Sequence, residues 1–234
     1  MIPHAKKLRS VFLVGFLLTI ALALTGYLDS SFVGEFVDIS AVGILFSVGS
    51  LASMVFLAYL PKLLKNFGIS GVFQTTSFVY LLSILGMINT GRPIVFQALF
   101  IAYIASGIGI YFAIDLLLEH FSRKSGEGRV RGIYLSIYNL GYLLGPLIAG
   151  LLLEKSSFDL VYLLAGMFII LMLGIYLKDL KNINFESHHQ GLSFLRNLKR
   201  LLKNRDLRNI AISGFSLSFF FSLMAIYTPI YLNQ

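Results

Sequence analysis

Seven long apolar stretches run along the chain, separated by polar breaks. Each has about 18 residues or more, the length that an α-helix needs to cross the hydrocarbon core of a bilayer. They cover about residues 11–28, 40–60, 69–88, 94–117, 130–153, 158–177 and 209–232. Because backbone groups in lipid must be hydrogen-bonded internally, these runs indicate spanning helices. The pattern predicts an all-α integral membrane protein.

One polar break, at about residues 178–208, is longer than the others. It divides the chain into a six-helix bundle in residues 1–180, a basic linker at 181–208 and a seventh helix at 209–234. In the stretch 191–203, four leucines share one helical face opposite four basic residues; these are Leu192, Leu195, Leu198 and Leu202 against Arg196, Lys199, Arg200 and Lys203. This favours an amphipathic helix on an anionic inner leaflet. A helix buried against the cytoplasmic ends of the bundle is the alternative.

Composition supports lipid as the solvent. Hydrophobic residues make up 57% of the 234 and charged residues 13%, about half the charged share of a typical soluble domain. The net charge is +8, and 17 of the 19 Lys and Arg lie in segments that a cytoplasmic N-terminus would place inside. This bias predicts a multi-pass protein of the cell (plasma) membrane with its N-terminus in the cytoplasm. It also explains the basic surplus without nucleic acid as a partner.

A short sequence pattern occurs twice, 89 residues apart. Gly43-Ile44, Ser47 and Leu51 in the second stretch correspond to Gly132-Ile133, Ser136 and Leu140 in the fifth. The two stretches are predicted to cross in opposite directions. This favours two inverted three-helix repeats, an arrangement found in many transporter folds.

The fifth stretch, GIYLSIYNLGYLLGPLIAG, is rich in residues that weaken an isolated helix. Gly141, Gly145 and Ala149 are four apart, so they share a face on which another helix can approach closely. Pro146 removes one backbone hydrogen bond and favours a bend. The spacing is compatible with a bendable helix at a moving interface or with a tight, static helix pair.

The series Gly132, Gly141, Gly145-Pro146 and Ala149-Gly150 resembles motif C of the major facilitator superfamily (MFS). The resemblance implies an MFS-type six-helix bundle, and secondary transport of the kind seen in proton-coupled antiporters. It also implies that this helix face packs against the other half of the transporter. A seventh helix would then begin a second bundle, so the resemblance implies a partial chain whose C-terminal half is missing.

The resemblance also implies a cytoplasmic gate. The loop PKLLKNFGIS lies at the position of family motif A, where Lys65 replaces the motif's acid and Gly68 is retained. Asp115, inside the fourth stretch, and Arg131 match the segment that joins spans 4 and 5. An isolated carboxylate there is expected to need a partner. We expect an ion pair with Arg129, Arg131 or Lys65, with a solvated interfacial carboxylate as the alternative.

Other polar residues are candidates for the transport pathway. Asp29 ends the first stretch, where it would either bind a proton or cationic substrate or, as we favour, be a solvated acid of the outer loop. Tyr27, Asn139 and Tyr138 would either line the pathway or form ordinary interhelical hydrogen bonds.

Chemistry other than transport has little support in the sequence. There are no cysteines, His188-His189 lack the spacing of a helical metal pair, and no nucleotide-binding or catalytic motif is visible. We therefore expect no enzyme activity, metal or cofactor. The predicted function is secondary active transport of an unknown small molecule, with protons as the expected coupling ion. A half-size, homodimeric membrane scaffold is the alternative.

Overall fold

The computed structural model describes residues 2–122, 127–154, 157–181 and 201–232. Its helices are α1 (Ile2–Gly26), α2 (Asp29–Gly34), α3 (Ile39–Asn89), α4 (Pro93–Ser122), α5 (Glu127–Leu153), α6 (Phe158–Asp179) and α7 (Arg205–Leu232). All except the six-residue α2 are long and apolar enough to cross a membrane. The described residues form no strand. The all-α membrane architecture predicted from hydropathy is confirmed.

Helix α3 contains two spanning segments joined at Gly68. Its 51 residues would extend about 77 Å if straight, more than twice the thickness of a hydrocarbon core. Gly68 interrupts the helix with φ 67° and ψ 175°, a backbone conformation that is essentially restricted to glycine. We call residues 39–67 the first arm and residues 69–89 the second arm. They coincide with the second and third predicted spans.

Contacts with α4 show that the two arms fold back on each other. A methyl group placed on Gly109 of α4 would lie 2.9 Å from Phe56 in the first arm and 2.6 Å from Thr76 in the second. Phe56 and Thr76 would be about 30 Å apart along one straight helix. The chain therefore reverses at Gly68, and the described part has seven crossing segments.

The directions of packing are the same in the two predicted repeats. Helix α1 runs parallel to α5, because the glycines of α5 at 141 and 145 meet α1 at 19 and 23 in the same order. It runs antiparallel to α6, since Ser10 contacts Asp179 while Asp29, just beyond α1, contacts Tyr162. Helix α4 is likewise parallel to the first arm and antiparallel to the second arm. Two inverted three-helix repeats have this symmetry.

Burial identifies α1 and α4 as the central helices. About two thirds of the most apolar part of α1 and over half of that of α4 are buried, against less than a quarter for α3 and for α5. Helix α7 is exposed along most of its length and contacts α2. Large apolar side chains such as Leu143, Leu147 and Leu151 of α5 are also exposed, as expected for surfaces that meet lipid or further protein.

The predicted linker falls mostly outside the described residues. Most of the amphipathic helix predicted at 191–203 lies outside the described residues, which resume at 201; residues 201–203 are helical. His188 and His189 also lie outside. Helix α5 continues through Pro146.

Candidate functional site

The glycine face of α5 packs directly on the backbone of α1. A methyl group on Gly141 would lie 2.8 Å from Cβ of Thr19 and 3.3 Å from the backbone nitrogen of Ile20. On Gly145 it would lie 3.0 Å from the backbone nitrogen of Leu24. Backbone cannot move aside as a flexible side chain can, so these two positions require glycine. Ala149 continues the same buried face.

Helix α1 contributes its own small residues to this contact. Gly15 lies against the ring of Tyr134, and Thr19 donates a hydrogen bond from its hydroxyl to the carbonyl of Gly15 at 2.7 Å. Thr19 therefore packs as a small side chain without leaving its hydroxyl unpaired. Small residues spaced by four on both helices give the close packing that stabilises helix pairs in lipid.

This contact corrects one expectation drawn from the resemblance. The Gly141, Gly145 and Ala149 face was expected to meet the other half of the transporter, but α1 of the same bundle occupies it. The remaining motif residues lie elsewhere: Gly132 and Gly150 are exposed with nothing near them, and Pro146 is half-buried. A tight α1–α5 pair is the arrangement observed.

The expected ion pair of Asp115 is not formed. Asp115 is partly exposed on α4, and among the described residues the only ion pair joins Lys6 to Asp179, with 3.7 Å between Nζ and Oδ1. Arg129 and Arg131 are exposed in the first turns of α5, and Lys65 lies just before the reversal. Gly68 makes that reversal. A cytoplasmic gate built on these residues therefore stays a prediction.

Next to Asp115, four tyrosines form a row between α4 and α5. Tyr134, Tyr138 and Tyr142 follow one another on α5, with ring centroids 6.1 Å and 5.0 Å apart, and Tyr111 of α4 lies 6.0 Å from Tyr138. The hydroxyls of Tyr138 and Tyr142 are 3.4 Å apart. We call these four residues the tyrosine row. Tyr111 and Tyr142 are exposed, as is neighbouring Asn139, whereas Tyr134 is buried.

Tyr138 and its neighbour Asn139 are predicted from the sequence as pathway candidates, whereas the other three tyrosines of the row are not. The spacing of four between Tyr134, Tyr138 and Tyr142 is visible in the sequence and indicates one helical face. The partner Tyr111 is on another helix, and only the packing of α4 against α5 reveals it.

A second polar cluster lies at the opposite end of the bundle, around Asp29. Asp29 begins α2 and is only 8% exposed. Its Oδ1 accepts a hydrogen bond from the hydroxyl of Tyr162 on α6 at 2.5 Å and a longer one from Tyr103 on α4 at 3.4 Å. The hydroxyl of Tyr103 is also 2.6 Å from that of Thr25 on α1. We call these four residues the Asp29 cluster.

The favoured interpretation of Asp29 as a solvated outer-loop acid is therefore wrong. The chain turns between α1 and α2, where the backbone N–H of Leu28 donates to the carbonyl of Thr25 at 2.7 Å, and this turn directs Asp29 inward. Three residues beyond the first span, burial raises the pKa of the Asp29 carboxyl to about 7, although the hydrogen bonds from Tyr162 and Tyr103 favour its charged form.

Aromatic rings cover the Asp29 cluster on its outer side. Phe32 of α2 lies 4.6 Å from the ring of Tyr162 and 5.3 Å from that of Phe96, and Phe36 stacks on Phe96 at 4.0 Å. These rings join α2, α4 and α6. They separate the carboxyl from the outer surface.

An open cavity of about 1130 Å³ lies beside this aromatic cover, between α2, α6 and α7. Phe158, Phe220, Phe221 and Met224 give it an apolar wall, and Tyr27, Ser31, Glu35 and Asp159 line its polar part. Glu35 follows α2, outside the spans, and partial burial together with neighbouring Asp159 raises the pKa of its carboxyl. Tyr27 therefore faces this cavity and not the tyrosine row.

The described residues contain no group of three or more His, Cys, Asp or Glu placed to hold a metal ion. The polar clusters are built from tyrosines and single acids. Such groups bind protons, cations and hydrogen-bonding solutes.

Comparisons with known proteins identify a family and two relatives. The family model described as Major Facilitator Superfamily matches residues 8–234. An uncharacterized MFS-type transporter of Enterobacter sp. (strain 638) is 26% identical over 176 residues, covering 74% of this chain and 44% of that protein. An uncharacterized transporter of Rickettsia felis (strain ATCC VR-1525 / URRWXCal2) is 28% identical over 198 residues, covering 70% of this chain and 48% of that protein. The chain thus spans about half the length of the curated relatives it matches. No solved structure matches it significantly.

Proposed function

Because the chain belongs to the Major Facilitator Superfamily, we propose that it is part of a secondary active transporter that moves a small molecule by alternating access. The tyrosine row carries this proposal. Tyr111, Tyr142 and Asn139 are exposed on a bundle whose surface is otherwise mostly apolar. Polar and ionisable side chains are costly in lipid and mark water-filled paths. A row of tyrosine rings beside Asp115 suits a solute with an apolar body and a polar or cationic group.

The pathway needs a second wall opposite the tyrosine row. We propose that the six-helix bundle of residues 1–180 supplies one wall, and that a second bundle, to which 209–234 would belong, supplies the other. Support comes from the relatives, which are about twice as long as the stretch they share with this chain. The linker 181–208 would join the two bundles.

For the coupling ion we propose protons, and for the direction, antiport out of the cell. The support is the similarity of the α5 glycine series to motif C. The basic residues in the first turns of α1, at the α3 reversal and around the start of α5 support a cytoplasmic N-terminus in the plasma membrane.

Transport can be tested in everted membrane vesicles from cells that express the complete reading frame. A respiration-driven pH gradient is followed with a quenched fluorescent dye while candidate organic cations are added. We expect partial recovery of fluorescence with at least one compound. Recovery with none, in vesicles that hold a normal gradient, would contradict proton antiport of such compounds.

Two substitutions on α5 test the tyrosine row itself. Tyr138→Ala removes the central ring, and we expect roughly a tenfold loss of transport at limiting substrate, which corresponds to ~1.4 kcal/mol. Leu143→Ala, on the same helix and 62% exposed, is the matched control and should keep the parent rate. Equal rates for the two variants would place the pathway elsewhere.

A further inference from the structure

The open cavity between α2, α6 and α7, which we call the outer cavity, has an apolar wall on one side and two acids on the other. The apolar wall is one face of α7, with residues that recur every three or four positions; these are Leu217, Phe220, Phe221 and Met224. Glu35, just after α2, and Asp159, in the first turn of α6, line the opposite side. The volume of about 1130 Å³ is large enough for one drug-sized molecule and some water.

The walls of the outer cavity are held in place by contacts outside it. Ile226 of α7 packs against the buried core of the bundle, and the hydroxyl of Tyr227 lies against Gly43 at the start of the first arm. Across the cavity, the ring of Phe158 lies 5.6 Å from that of Phe32 in the aromatic cover. The cavity is therefore preformed, as most small-molecule sites are.

The two acids of the outer cavity carry negative charge without a basic partner. Among the described residues the one ion pair joins Lys6 to Asp179, at the other end of the bundle. Partial burial and then the nearness of Asp159 raise the pKa of Glu35, so the two carboxyls are close enough to repel each other. A cation between or beside them would lower the energy of both.

The walls and the charges together specify one class of molecule. Aromatic rings accept a flat or greasy body, and their faces also attract a positive charge. Two carboxylates disfavour an anion. An organic cation with an aromatic or aliphatic body satisfies both sides of the cavity at once.

We propose that the outer cavity is a second binding site, separate from the tyrosine row, for an amphipathic organic cation: Glu35 and Asp159 select the positive charge, and the apolar face of α7 holds the body. The tyrosine row lies at the opposite end of the bundle, so one solute cannot occupy both sites together. The place of the outer cavity on a transport route rests on the proposed function, whereas binding of the cation does not.

Protection of a single cysteine tests whether a cation binds in this cavity. Ala225 lines the cavity and Ser222, on the same helix, does not. In purified, otherwise cysteine-free protein from the complete reading frame, saturating tetraphenylphosphonium should slow the reaction of Ala225→Cys with N-ethylmaleimide severalfold. Ser222→Cys is the matched control and should react at an unchanged rate. Equal rates for Ala225→Cys with and without the cation would overturn the proposal.

A second set of variants tests the role of the two acids. In the Ala225→Cys protein, Glu35→Gln with Asp159→Asn should raise the concentration of tetraphenylphosphonium that gives half protection about tenfold. Asp38→Asn with Glu154→Gln removes two exposed acids near the same end that do not line the cavity, and it should leave that concentration unchanged. Triphenylphosphine oxide, which has similar rings and no net charge, should protect both double variants equally. The same half-protection by the cation in both double variants would contradict selection by Glu35 and Asp159.

These results can be separated from those on transport. Protection that depends on Glu35 and Asp159, in a protein that moves no organic cation, would support the outer site and reject the proposed transport of such compounds. Cation transport by a protein whose Ala225→Cys variant is never protected would support the transport and reject the outer site.

Discussion

At the scale of single residues, Gly141 and Gly145 matter for what surrounds them and not for flexibility. Their missing side chains bring the backbones of α5 and α1 together, whereas Gly150 of the same helix has open space around it. A side chain would therefore be excluded at Gly145 but accommodated at Gly150, five positions further along the same helix.

This contrast predicts that substitution by alanine changes the stability of the folded protein in opposite directions at the two positions. Gly145→Ala should lower the stability of the folded protein by about 1–3 kcal/mol, because the new methyl group overlaps the backbone of α1. Gly150→Ala should be neutral or raise it by up to about 1 kcal/mol through helix propensity. Thermal unfolding in detergent measures both. If Gly145→Ala were as stable as the parent, the α1–α5 contact would be looser than described.

Asp29 also shows what the sequence could not reveal. Its position after an apolar run resembles that of any loop acid. Its burial depends on Tyr103 and Tyr162, which lie 74 and 133 residues away and have no local pattern that points to Asp29. Contacts over such distances follow from packing of the helices, whereas the spans themselves follow from local hydropathy.

A buried acid whose folded-state pKa lies above its unfolded value makes stability depend on pH. The folded state of Asp29 holds its proton up to about pH 7, while the unfolded state loses it near 4. Stability should therefore fall as pH rises through this window, and the fall should be smaller in Asp29→Asn. Melting temperatures at a series of pH values provide the measurement. An identical pH dependence in both proteins would argue against a buried, protonated Asp29.

At the scale of elements, α3 is the most informative helix. Hydropathy alone predicted two spans, at 40–60 and 69–88, and Gly68 is the point at which the chain turns between them. The sequence could not show how short the turn is, because helix-forming residues continue on both sides of the glycine.

The reversal predicts a specific need for glycine. In Gly68→Ala the new side chain must adopt a conformation that costs about 1–3 kcal/mol. Gly91→Ala, in the next turn, has ordinary φ and open space and should change little. Unfolding of the two variants in detergent compares them directly. Equal stability would mean that the turn at Gly68 can relax.

At the scale of the whole molecule, the two repeats explain the order of packing. Helices α1 and α4 each lie between one parallel and one antiparallel neighbour, so they form the buried centre. The short pattern shared by residues 43–51 and 132–140 predicted this symmetry. It could not predict which faces would be exposed, because apolar side chains face both lipid and protein in a membrane.

The topology can be tested directly because the chain has no cysteine. Single cysteines at Asp38 and Lys181, both exposed, should report opposite sides of the membrane. In intact cells a membrane-impermeant thiol reagent should label Asp38→Cys, and it should label Lys181→Cys only after permeabilisation. Labelling of Lys181→Cys from outside would invert the proposed orientation.

The one-residue reversal at Gly68 also bears on how the protein is made. The first arm leaves the ribosome before the second. Only Gly68 lies between them, so no loop separates the insertion of one arm from that of the other. In the orientation proposed above, the turn lies on the cytoplasmic side, just after Lys62 and Lys65, so the second arm must insert directly after the first.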